Sequence, residues 1–197
     1  MSAFRAASLL ITFATLLASA GAASAAGPTE TVQAAVQRVF AENGAVQVKA
    51  GPTAEHRAQI RQVAETLFDF REMARRSLGD RWDSLPQADR GEFTRLFTNL
   101  IVASYMGKVE LYAGEIRYLG ERVDGEEAAV ESQLVTPKGS QVNVEYRLNH
   151  PQDRWTVYDV SVDGVSLVGN YKTQFNHLLQ RTSFADLLKT MRQKAGS

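Results

Sequence analysis

The chain has 197 residues, 22 basic and 22 acidic side chains, 44% hydrophobic content and no cysteine. Balanced charge argues against nucleic-acid binding by bulk electrostatics, where affinity comes mainly from neutralising phosphates. Without cysteine there is no disulfide and no thiolate metal ligand, so a packed core must hold the fold by itself.

At the N-terminus Arg5 supplies a positive charge and Ala6 to Leu17 is apolar. That stretch is too short for a bilayer, whose crossing needs about 20 apolar residues. Ala-Ser-Ala follows at 18–20 and again at 23–25. This is the layout of a cleaved secretory signal peptide, with cleavage expected after Ala25 or Ala26. With no Cys to acylate, it is not a lipoprotein signal. Residues 1–26 are expected to be removed and 27–197 to form one secreted domain. Losing Arg5 from the balance leaves a net charge near −1. Roughly 170 residues suffice for one substantial core.

Helical spacing comes first. Val32, Val36, Val39 and Phe40 mark a helix from about Thr29 to Glu42, stopped by Asn43-Gly44. Gly51-Pro52 breaks the chain, and Thr53 is placed to cap a helix with Ile60, Val63, Ala64, Leu67 and Phe68 on one face. A short helix through Met73 and Ala74 should end at Leu78, with Gly79 in the left-handed position past its end. Ser84 and Gln87 have capping-box spacing ahead of the longest helix. Its stripe is Phe93, Leu96, Phe97, Leu100, Ile101, Ser104 and Tyr105, running toward Leu111-Tyr112.

After Gly114 the period changes to two. Strands are expected at 115–123, 127–136, 141–149 and 154–162, joined by Asp124-Gly125, Pro137-Lys138-Gly139 and His150-Pro151-Gln152-Asp153. Val142, Val144, Tyr146 and Leu148 alternate with Gln141, Asn143, Glu145 and Arg147, giving an apolar inner and a solvated outer face. An Asp163-Gly164 turn, a short apolar strand, a helix opened by Asn170 and another over 183–192 complete the chain. The layout is α+β: helices packed on one face of a twisted antiparallel sheet of about four strands.

Catalytic signals are thin. Gly164-Val165-Ser166-Leu167-Val168 approaches a nucleophile elbow, but Val168 stands where the second glycine belongs. His56, His150 and His177 lack metal-ligand spacing, and no cofactor motif is present. Asp159 and Asp163 are four residues apart and read either as paired carboxylates or as a buried hydrogen-bonded residue and a turn cap. Arg71, Arg75, Arg76 and Arg81 read either as a solvated helix face or as a docking patch for an anionic lipid surface or an acidic partner. On periodicity alone the apolar stripes read as a filled core, although the same residues could line a hollow interior.

The run from Trp155 through Asp159, Asp163 to Val168, Asn170-Tyr171 and Gln174-Phe175 closely resembles the signature segment of the MlaC family. Phe68-Asp69-Phe70, Met73-Ala74, Leu78-Gly79, Trp82, Phe93, Leu96-Phe97, Leu100 and Tyr105 resemble its helical pattern in the same order. The resemblance implies a non-enzymatic, monomeric periplasmic carrier that holds a phospholipid in an apolar cavity between sheet and helices. It implies exchange with an outer-membrane lipoprotein complex and with an inner-membrane ABC transporter bearing MCE domains. On that footing the expected cavity wall is Phe97, Leu100, Ile101 and Tyr105 with Val142, Val144 and Tyr146. Val165, Leu167, Tyr171 and Phe175 are expected to close one end. Trp155 and Tyr158 alternate on their strand, so one should point inward, and Trp155 is the one expected to. Tyr105 to Glu110 with Tyr112 to Glu115 resembles a branch associated with hopanoid biosynthesis, which implies a polycyclic lipid as the alternative cargo. A filled-core adaptor that carries no lipid, and an esterase using Ser166, are the readings from other classes.

Overall fold

The structure, a computed structural model, describes residues 26–43, 54–106, 114–136 and 138–195. Residues 1–25, where a signal peptide is expected, Gly44, Gly51-Pro52, Thr53, Gly107 to Ala113 and Pro137 lie outside the described residues. So do the side chains of Val39, Phe40, His56, Ile60 and Tyr105.

The helices are α1 (Pro28–Asn43), α2 (Ala54–Leu67), α3 (Phe70–Leu78), α4 (Arg81–Ser84), α5 (Gln87–Met106), α6 (Leu167–Leu179) and α7 (Phe184–Ala195). The strands are β1 (Glu115–Asp124), β2 (Glu127–Val135), β3 (Gln141–Asn149), β4 (Thr156–Val162) and β5 (Val165–Ser166). They form one antiparallel sheet in sequential order, an α+β meander with one more short strand than the four named from sequence. Gly114 leads into β1 because a Cβ there would stand 2.2 Å from the Val135 carbonyl oxygen, inside contact distance.

Two apolar clusters hold the molecule together. In one, α1 and α2 pack over the sheet, bringing Val32, Ala35, Val63 and Leu67 onto Ala128, Val130, Leu148 and Val157. In the other, α3 to α7 enclose Met73, Trp82, Phe93, Phe97, Phe175, Leu187 and Met191. The second cluster meets the sheet along β4, against which α3 and α6 pack. Phe68 touches both clusters and bridges to Val157, and the Asp69 N–H donates to the Val157 carbonyl at 2.9 Å.

Local details refine the expected boundaries. Asp69 caps α3 by accepting from the Glu72 N–H, and Gly79 follows it at φ 58°, a conformation glycine adopts without a Cβ penalty. Ser84 is not the cap of α5. Its hydroxyl donates to the Arg81 carbonyl and closes α4, while the Pro86 carbonyl takes the Arg90 N–H that begins α5. Helix α6 opens at Leu167, not Asn170, because Ser166 and Asp159 accept from its first free N–H groups. Trp155 precedes β4, half-buried against the sheet cluster with its ring 4.6 Å from that of His150. A bulge opposite Arg147 and Leu148 lets Tyr158 turn into the helical cluster, beneath the Arg76 guanidinium at 3.7 Å. Both rings thus pack against a core, where simple alternation allowed one.

Candidate functional site

Cross-strand partners share a face, so the register resolves the inner face of the sheet into rows. Val123, Ala128, Leu148 and Val157 form the first; Glu121, Val130, Tyr146 and Val160 the second. Tyr118, Ser132, Val144 and Val162 form the third, and Ile116, Leu134 and Val142 the fourth.

Coverage falls across these rows on β3, β4 and β5, whereas β2 stays buried throughout, down to Leu134 at 4% exposure. In β3 and β4 the first row is sealed, with Leu148 and Val157 both at 0% exposure. Tyr146 and Val160 are half-buried, as is Val144, while Val162 reaches 40% exposure and its partner Val165 reaches 64%. Val142, Val144, Val162 and Val165 belong to neither core cluster among the described residues. A contiguous apolar surface therefore continues from the packed half of the sheet into a half that α1 and α2 leave partly open. The opposite face carries Glu131, Asn143, Glu145, Arg147 and Ser161, which with Leu119 line an open groove of about 350 Å³.

Three hydroxyls interrupt the apolar face. Ser132 stands opposite Tyr118 and donates to the Val144 carbonyl at 3.2 Å. Burial pushes the Tyr146 phenol up to about 12, with the neighbouring Tyr118 adding to the rise and a hydrogen bond with Ser132 opposing it. Burial also raises the Tyr118 phenol. Both are protonated donors at neutral pH.

The residues named from sequence divide between the two regions. Phe97, Ile101, Tyr171 and Phe175 lie in the helical cluster, with Phe97 stacked on Phe93 at 5.9 Å and edge-on to Tyr171 at 5.3 Å. Leu100 and Leu167 are half-buried at its margin. Val142, Val144 and Tyr146 lie on the inner sheet face, Trp155 beside it, and Val165 at its open end. Tyr118, Val160 and Val162 share that face and were missed. Their strands alternate as legibly as β3, but β1 carries a register shift between Tyr118 and Gly120 that breaks the simple pattern.

The alternative chemistries meet specific obstacles. The Ser166 hydroxyl donates to the Asp159 carboxylate at 2.5 Å and accepts from the Gly169 N–H at 2.8 Å, a capping arrangement. His177 lies eleven residues further along α6, about 16 Å away at 1.5 Å per residue, beyond any Ser-His contact. Asp163 does not pair with Asp159; its carboxylate accepts from the Asn143 N–H at 3.0 Å and caps the turn into β5. No cluster of potential metal ligands occurs among the described residues. Of the four arginines, Arg75 and Arg76 are tied to Glu72 at 2.6 and 2.7 Å, and Arg76 also reaches Glu127 at 3.0 Å. Arg71 and Arg81 are exposed.

Fold and site together define an α+β binding protein: a sheet with an apolar inner face half sealed and half open. The sequence model of the MlaC protein family matches residues 33–193, and the chain belongs to that family. No curated protein matches the chain. Among solved structures it is similar to the phospholipid-binding protein from Ralstonia solanacearum, determined in complex with a phospholipid. The two share 22% identity over 87% of this chain and 98% of that one, with a TM-score of 0.78, a likeness of fold.

Proposed function

We propose that the protein is a phospholipid carrier that holds acyl chains against the open half of the inner sheet face. The observation that carries this reading is the loss of cover along β3 and β4, from sealed Leu148 and Val157 to open Val162 and Val165. Family membership supports it, as does the phospholipid bound by the similarly folded Ralstonia protein.

The physics of such a task is demanding. Each methylene withdrawn from water is worth about 0.8 kcal/mol, so two chains of roughly 15 carbons carry a gross term of order 20 kcal/mol. An apolar site must supply comparable stabilisation and release it when docked at a membrane complex. No bond is made or broken, which suits a site of valines, tyrosines and a serine. The signal-like pattern of the N-terminal residues supports a periplasmic location. There the carrier would exchange cargo between an outer-membrane lipoprotein complex and an inner-membrane ABC transporter with MCE domains, working as a monomer.

Native mass spectrometry of the mature protein purified from a bacterial periplasm, followed by lipid extraction, tests the reading. Near one diacyl phospholipid per chain is the expected result. A polycyclic lipid such as a hopanoid would keep the carrier and replace the cargo. A lipid-free protein that also takes up nothing from vesicles would leave a filled-core adaptor of the transport system in its place.

A further inference from the structure

The third row of the inner face marks where the sealed half of the sheet gives way to the open half, and it begins with Tyr118. The Tyr118 hydroxyl is buried, and no described residue hydrogen-bonds to it; it is the only such side-chain atom among the described residues. Buried hydroxyls ordinarily find a partner, because an unmade hydrogen bond away from water carries its full desolvation cost. Its cross-strand neighbour Ser132 donates to the Val144 carbonyl and Tyr146, one strand further on, interacts with Ser132; neither is hydrogen-bonded to the Tyr118 hydroxyl. A donor with nothing to donate to, set at the edge of an open apolar surface, suits a ligand that brings an oxygen acceptor with its hydrocarbon.

Resting on the carrier reading, we propose that Tyr118 is the polar anchor of the lipid site. Its hydroxyl donates a hydrogen bond to an acyl-ester carbonyl of the cargo, while the chains lie along the valines of β3 and β4. Ester carbonyls stand where hydrocarbon meets headgroup, so a donor there sets how deep the chains run. It also favours ester-linked over ether-linked lipids, because an ether lacks the carbonyl acceptor.

The test compares delipidated wild type with Tyr118→Phe, titrated with vesicles of a diacyl phosphatidylglycerol and of its dialkyl-ether counterpart with matched chains. Wild type is expected to bind the diester about five- to tenfold more tightly, the scale of one buried hydrogen bond. Tyr118→Phe should bind both lipids alike, at the wild-type ether affinity. With its unsatisfied hydroxyl removed, the lipid-free variant should melt no lower than wild type. A preference that survives in Tyr118→Phe, or a wild type without one, overturns the anchor and leaves the carrier standing. A lower melting temperature of the lipid-free variant also overturns it, since the hydroxyl would then serve the fold. A wild type that takes up neither lipid removes the carrier reading itself.

Discussion

Asp159→Ala should be among the most damaging single polar changes in this chain. The carboxylate is 5% exposed and accepts three hydrogen bonds: Oδ1 from the Val160 and Val168 N–H groups, each at 2.9 Å, and Oδ2 from the Ser166 hydroxyl at 2.5 Å. Two of these donors belong to the start of α6, where free N–H groups and the helix dipole both favour a negative charge. Alanine strands a buried Val168 N–H, a partly buried Val160 N–H and the Ser166 hydroxyl. At about 1–3 kcal/mol for each buried donor left unpaired, and less for those that water can reach, the loss is about 3–5 kcal/mol. For a domain of this size that lowers Tm by roughly 10–15 °C. Asp159→Asn keeps an acceptor for the two N–H groups and should cost about 1–2 kcal/mol. Ser166→Ala removes a helix cap, at about 1 kcal/mol. Urea unfolding of the three mature variants gives the ladder directly. A loss below about 1 kcal/mol in Asp159→Ala, or a Ser166→Ala variant less stable than Asp159→Ala, would refute the capping account. A well-folded Ser166→Ala that lost its function would revive a chemical role for the serine.

Val162→Asp places a charge on the open part of the inner face, where the side chain is already 40% exposed. The lipid-free protein should lose under about 1 kcal/mol, while phospholipid occupancy by native mass spectrometry falls more than about tenfold, because a carboxylate resists burial under hydrocarbon. Phe97→Ala should do the reverse: about 3–5 kcal/mol lost in urea unfolding from a fully packed ring, with lipid stoichiometry kept by the molecules that remain folded. Equal effects of the two changes on occupancy would erase the distinction between sealed core and open face. The Arg75 hydrogen bond, seconded by Arg76, holds the Glu72 carboxyl below its ordinary range against the opposing effect of burial. Because the folded value is the lower one, the stabilisation is present above the unfolded value of about 4.3 and is lost as pH falls through the folded value. Urea midpoints of wild type and Glu72→Gln should therefore differ most above about pH 5 and converge on further acidification; a gap independent of pH would exclude this ion pair as the cause.

Strand periodicity was the most legible part of the chain. The alternation of β3 named its inner residues, and the register with β2 and β4 repeats that assignment. Helix starts were harder, because the cap that matters need not be local. Asn170 looked like the opening of α6, but the structure spends Ser166 and the more distant Asp159 on that task. The division between core and cavity was not legible at all. Phe97 and Val144 are both apolar residues on periodic faces, and one lies in an aromatic stack while the other lies on a half-covered sheet. Nothing in a hydrophobic pattern records whether the space in front of it is filled. Tyr118 escaped notice for a related reason: its unpaired hydroxyl is a property of neighbours three strands wide.

The separation of the two clusters explains how a chain of this size can leave apolar surface open and still fold. Had the sheet's inner face been the sole core, leaving half of it uncovered would have removed a large part of the driving force. Here α3 to α7 build a second core from their own rings and aliphatic side chains, joined to β4 through Tyr158, Val168 and the Asp159 cap. The sheet is thereby anchored along the start of β4, while the open surface runs over β3, the far end of β4 and β5. Loading and release can then alter the cover of Val142, Val144 and Val162 without disturbing Phe93, Phe97 or Phe175. On this division, a lipid should protect the amides of β3 and the far end of β4 from hydrogen exchange far more than those of α5 and α7. Equal protection throughout would mean that the two clusters act as one cooperative unit.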